Sequence, residues 1–155
     1  MIEAYLPVAV LAVFTAIAAW TDITQRRIPN WLCLACLVAG LALATWTGGL
    51  SALGWHAAHA VVALLIGMAL FAIKAIGGGD GKFYPAVASF FPLQQGLLLG
   101  AAIGISGGVL LILFIVWKRT AGRKTDASGN RNMAKLPYGV AIGAGALVLA
   151  ASQLP

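Results

Sequence analysis

Apolar residues fill the chain almost without interruption through 4–21, 31–47, 57–76, 83–93, 96–117 and 137–154, with short polar or Gly/Pro-marked segments between them. Runs of this kind predict helices that satisfy their own backbone hydrogen bonds in hydrocarbon, where no water can do so. Five are long enough to span a bilayer. The exception is Phe83–Leu93, because about 11 helical residues cover only about 17 Å of a hydrocarbon core about 30 Å thick. Composition sharpens the picture: of 155 residues, 61% are hydrophobic and 9% charged, with mean hydropathy +0.95. A soluble domain of this size could not hide so much apolar surface in one core. The expectation is one all-α integral membrane domain over residues 1–155.

Charge decides how many runs cross. Arg26 and Arg27 lie between the first two runs, Lys74 and Lys82 flank a glycine-rich segment, and Lys118, Arg119, Arg123, Lys124, Arg131 and Lys135 lie in the stretch 118–136. If the short run crosses, all ten basic residues face the cytoplasm; if it does not, six are left on the other side. The pattern therefore predicts about six transmembrane helices with a short fourth helix, both termini outside, and 118–136 as a cytoplasmic basic loop. The net charge of +6 is spread over these short loops, which favours anionic lipid headgroups over nucleic acid. Tyr5–Trp20 reads as a retained span, since no Lys or Arg precedes it and no small-x-small cleavage site follows.

Several other features carry a structural reading. Cys33 and Cys36 share one face of an apolar helix, but no second pair accompanies them, so neither a disulfide framework nor a metal site is expected. His56 and His59 also share a face, near the outer interface and away from the acidic residues. Glycines at 96, 100, 104 and 108, and again at 139 and 143, recur every four residues, which lets neighbouring helices approach closely.

The four acidic residues are Glu3, Asp22, Asp80 and Asp126. Glu3 lies near a terminus and Asp126 in the basic loop, where both read as solvated charges. Asp22 closes the first span and Asp80 follows the third. Since those spans run in the same direction, both aspartates emerge on the same membrane face. An aspartate at membrane depth costs about 2.5–3.5 kcal/mol on insertion scales and usually has a use. The bland alternatives are pairing of Asp22 with Arg26 one turn on and N-capping by Asp80 after a glycine turn. The chemical reading is a carboxylate pair sharing a proton: one activates water while the other, neutral, donates a hydrogen bond to a carbonyl. Gly77, Gly78, Gly79 and Gly81 around Asp80 would let a peptide approach and permit an unwound backbone there. Lys82 is placed either to anchor the helix at the headgroups or to tune the aspartates. A phosphate loop is excluded, because Phe83 stands where a Walker motif needs Ser or Thr.

Three segments then resemble the type IV prepilin peptidases in order along the chain. Asp22-Ile23-Thr24-Gln25-Arg26-Arg27-Ile28-Pro29-Asn30-Trp31 is similar to their first catalytic segment. Gly77-Gly78-Gly79-Asp80-Gly81-Lys82 matches their Gly-x-Gly-Asp-x-Lys pattern. Leu136-Pro137-Tyr138-Gly139-Val140-Ala141-Ile142 resembles the Pro-Tyr-Gly-x-Ala sequence opening their last helix.

The resemblance implies a membrane aspartic endopeptidase of the bacterial inner membrane that removes the basic leader of a prepilin or pseudopilin precursor at the cytoplasmic face. Asp22 and Asp80 would be its catalytic pair, with Gly77, Gly79, Gly81 and Lys82 shaping the substrate approach or orienting the second aspartate. The chain looks like the small peptidases of tight-adherence (Flp-type) pili. It lacks the cytoplasmic Cys-x-x-Cys domain of the larger members, and nothing in it suggests a site for S-adenosylmethionine. The expectation is a peptidase with no methyltransferase activity, no metal and no cofactor. Two other classes stay open on the residues alone: a small transporter or proton relay, and a non-enzymatic assembly factor of a pilus or secretion machine.

Overall fold

The computed structural model describes residues 2–120 and 138–154. Every regular element among them is helical: α1 (Ile2–Gln25), α2 (Asn30–Ala72), α3 (Gly78–Ala88), a 3-10 turn (Leu93–Gln95), α4 (Gly96–Thr120) and α5 (Tyr138–Ala151). The basic stretch expected at 118–136 lies, from 121 onward, outside the described residues, as does Pro137.

By length and hydropathy α1, α2 and the helical stretch through α4 can each cross a membrane, while α5 is a shorter apolar helix. The surface suits lipid as the surrounding medium. Leu97 is 90% exposed, Leu50 80% and Trp46 79%, and such an apolar exterior is unsustainable in water.

α2 has a break at Gly49, where φ is 67° and ψ −160°, a conformation open to glycine and strained for any residue with a Cβ. Its arms, 30–48 and 50–72, fold back on each other with α3 between them. The contacts show the reversal. Along the first arm, Asn30 bonds Lys82 and Cys36 reaches the Ala86 carbonyl, while Gly40 packs on Ser89. Along the second, His56 bonds the Ser89 carbonyl and Gly67 faces Gly81. One arm thus climbs α3 as the other descends, in agreement with the separate runs 31–47 and 57–76 read from hydropathy.

α3 is the core of the molecule. Phe83, Val87 and Ala88 are fully buried, and around them pack Leu11, Leu32, Cys36, Leu99, Ile142 and Ala146. The helix begins at Gly78, five residues before the expected start at Phe83, and ends at Ala88 instead of Leu93. The glycine-rich segment is therefore the first turn of a helix, not an unwound stretch. Those glycines serve packing: a Cβ on Gly67 would stand 2.6 Å from the Gly81 carbonyl oxygen. That oxygen is the acceptor left without a helical donor by Pro85 four residues on, since proline has no N–H.

The far end of α3 stops inside the apolar body, where its last carbonyls need donors. His56 Nδ1 lies 2.8 Å from the Ser89 oxygen and His59 Nδ1 2.9 Å from the Phe91 oxygen. The histidine pair, expected at an interface, is thus the cap of a buried helix end, with His59 only 1% exposed.

The periodic glycines divide into two groups. Gly139 and Gly143 meet α1 residues, and Gly145 lies against the α4 backbone at Ile103. In the α4 stripe, Gly96 faces His59, whose Nε2 would stand 3.2 Å from an added Cβ, whereas Gly100, Gly104 and Gly108 have no described residue within 4 Å of one, so among the described residues the close packing expected of those three is absent.

Candidate active site

α1 closes at Gln25, where the Arg26 N–H donates to the Asp22 carbonyl oxygen at 3.0 Å. Arg26 itself turns into the left-handed region, φ 52°, so the chain reverses and Pro29 leads into α2. The alternative ion pair between Asp22 and Arg26 does not form, and neither Asp22 nor Asp80 pairs with a described basic side chain. Asp22 is held by backbone instead. The Gly139 N–H, in the first turn of α5, donates to its Oδ2 at 3.1 Å.

Asp80 sits three residues past the N-cap Gly77, whose N–H donates to Asp80 Oδ2 at 3.3 Å. The N-cap is therefore Gly77, and Asp80 is the carboxylate that reaches back to it, one half of a capping box. This carboxylate also interacts electrostatically with Asp22 and with the Gly139 N–H. Both acids are half-buried and gathered at one pole, on the C-terminus of α1 and the N-termini of α3 and α5. Helix N-termini carry partial positive charge, which suits negative side chains there.

Ile28 forms the floor. It is buried, its Cβ and Cγ1 lie against Gly79, and its Cδ1 faces Gly139. Of the other expected site residues, Gly77 is at the carboxylate, Gly79 is on Ile28, and Gly81 is buried on the α2 side against Gly67. Gly81 therefore belongs to a helix contact. Lys82, two residues past Asp80 and about 200° round the helix, directs its Nζ to Asn30 Oδ1 at 3.1 Å. It ties α3 to the start of α2 and does not pair with either aspartate. Next to it an apolar groove lies between α3 and the two arms of α2, lined by Leu37, Ala60, Leu64 and Ala86. Cys33 and Cys36 are free and buried, with Cys36 directed at a backbone carbonyl. Among the described residues no group of three or more His, Cys, Asp or Glu converges.

The four-residue spacing marked Gly139 as a packing glycine but not as the partner of Asp22. Ile28 and Asn30 are marked by nothing in hydropathy or spacing, although both lie inside the segment Asp22–Trp31.

The described basic residues collect at the same pole. Gly145 meets α4 at Ile103 and Gly107 meets Ala141, so α4 and α5 run antiparallel. The end of α4, with Arg119, therefore returns toward the aspartates, near the loops holding Arg26, Arg27 and Lys74.

Apolar helices exposed to lipid, enclosing two carboxylates that converge at one pole, define a helical membrane protein with a paired-acid site. The chain belongs to the type IV leader peptidase family, whose profile matches residues 9–120, a stretch that contains both Asp22 and Asp80. At that level it is a membrane peptidase, a hydrolase. No curated protein and no solved structure matches the chain.

Proposed function

We propose that this protein is an aspartic endopeptidase that cleaves the basic leader from a type IV, Flp-like prepilin at the cytoplasmic face of the inner membrane, with Asp22 and Asp80 as its catalytic pair. The observation that carries the reading is that the two carboxylates lie at one pole from helices distant in sequence, Asp22 on the Gly139 N–H and Asp80 on the Gly77 N–H. Membership of a peptidase family favours hydrolysis over a transporter or an assembly factor.

In the reaction one carboxylate, ionised, takes a proton from water. The water oxygen attacks the scissile carbonyl carbon while the other carboxyl, protonated, donates its hydrogen to the carbonyl oxygen. The tetrahedral intermediate then collapses, the C–N bond breaks and the departing amine takes up a proton. The two carboxyls return to their starting state with one proton between them. Two such groups titrate as a pair, with apparent pKa values that belong to both.

Clustering of the described basic residues at the aspartate pole supports a cytoplasmic orientation of that pole. In this arrangement the chain makes six crossings as a single domain, both arms of α2 and the short α3 included, with both termini outside. The substrate is a prepilin or pseudopilin whose apolar stem stays in the bilayer. Methyl transfer is not part of the activity.

The test is co-expression with a candidate prepilin, reading the mobility of the processed product. Asp22→Asn and Asp80→Asn are each expected to abolish processing. Normal cleavage by either variant overturns the aspartic mechanism.

A further inference from the structure

We propose that Gly139 is the positioning residue of the aspartate pair, its backbone N–H holding Asp22 and its missing side chain allowing the two carboxylates to meet. The inference rests on the reading of Asp22 and Asp80 as the catalytic pair. It adds a third participant, from a helix beyond the segment that matches the family profile.

The helix arrangement makes a third participant necessary. α1 carries Asp22 and α3 carries Asp80, yet these two helices hardly touch; α5 packs against both. The separation of the carboxylates is therefore set by how closely α5 seats in the gap, and its first turn is where it meets them. Gly139 is buried there, donating at 3.1 Å to Asp22 Oδ2. The Asp22 carboxylate accepts a hydrogen bond from no other described residue.

The room for α5 depends on the absence of a Cβ. An alanine Cβ at 139 would stand 2.9 Å from Asp22 Oδ2, 3.4 Å from its Cγ and 2.8 Å from Ile28 Cδ1. Ile28 can give way, since the atom met is the end of a flexible side chain. Asp22 cannot give way without losing the N–H that holds it. If α5 withdraws instead, it also draws away from α1 at Gly143, where an added Cβ would stand 3.0 Å from Thr15 Cβ, and from α4 at Gly145, where one would stand 2.6 Å from the Ile103 nitrogen. Either response moves one aspartate relative to the other.

The experiment uses the purified full chain in lipid nanodiscs with a prepilin precursor, measuring kcat and KM. Gly139→Ala is expected to lower kcat about 100-fold, the scale of a displacement near 1 Å, with KM unchanged. Gly139→Ala/Ile28→Val removes the Ile28 methyl from the clash and leaves the carboxylate one, so it is expected to stay equally slow. Gly143→Ala, where the Cβ would stand 3.0 Å from Thr15 Cβ, is the control for crowding: it presses α5 off α1 without meeting a carboxylate and is expected to lower kcat far less than Gly139→Ala. Recovery in the Ile28→Val double variant, or an equal kcat loss in Gly143→Ala, makes the effect one of packing and overturns the proposal. Wild-type kcat in Gly139→Ala beside inactive Asp22→Asn and Asp80→Asn also overturns it and leaves the catalytic pair standing. Full activity in the two asparagine variants overturns the pair itself.

Discussion

The backbone N–H of Gly139 lies 3.1 Å from Oδ2 of Asp22, across 117 residues of chain. A carboxylate at the end of an apolar helix is thus held by the opening turn of the last helix, and the neighbouring Asp80 is held by the N–H of Gly77. Each acid has one oxygen fixed by backbone. This is an inexpensive way to orient a charged group where side-chain cations would neutralise it.

If the two aspartates act as one unit, their losses will not add. The double variant Asp22→Asn/Asp80→Asn is expected to be no slower than the slower single variant, as found for groups that share one chemical step. Residual cleavage measured at high enzyme concentration checks this. A double variant slower by the product of the single effects would show that the carboxylates act independently.

Water activated by carboxylates needs no metal. Processing is expected to continue at the same rate after exhaustive chelation and dialysis, measured on the detergent-solubilised enzyme. Loss of activity that returns on adding zinc would contradict the paired-acid chemistry.

Gly67 and Gly81 bring the second arm of α2 against α3 at backbone distance. Gly67→Ala places a methyl group 2.6 Å from the Gly81 carbonyl oxygen, and overpacking of this kind costs about 1–3 kcal/mol. The expected outcome is a lower thermal midpoint together with reduced activity, because Asp80 is in the same turn as Gly81. An unchanged midpoint would mean that the arm shifts freely.

At the opposite pole His59 bonds the Phe91 carbonyl oxygen at 2.9 Å. Replacing it with Leu leaves that buried acceptor unpaired, at a cost of about 1–3 kcal/mol. Below the lowered midpoint the variant is expected to cleave at close to the normal rate, since the carboxylates lie at the other end of α3. A large fall in kcat at full stability would give this histidine a chemical role instead.

Hydropathy alone located the helices and the medium they occupy, because an apolar run of about 20 residues has few alternatives to a membrane helix. It also separated 31–47 from 57–76, which the break at Gly49 confirms. The start of α3 was misplaced, since the glycines that read as a flexible loop become helical once Gly67 offers them a close surface. Propensity gave way to tertiary packing there. The glycine stripe of α4 shows the opposite case: past Gly96, which faces His59, it is a pattern visible in sequence that meets no partner among the described residues.

By itself the sequence determined a lipid-embedded helical chain and, through ordered motifs, the two acids worth examining. Direction of the helices was enough to put Asp22 and Asp80 on one face. Only the tertiary structure decided that they gather at one pole beside the first turn of α5. α1 and α3 scarcely touch, so their approach depends on α5, whose first turn lies 117 residues from Asp22. No local preference encodes such a distance; it is set by how closely glycine lets one backbone approach another's side chain.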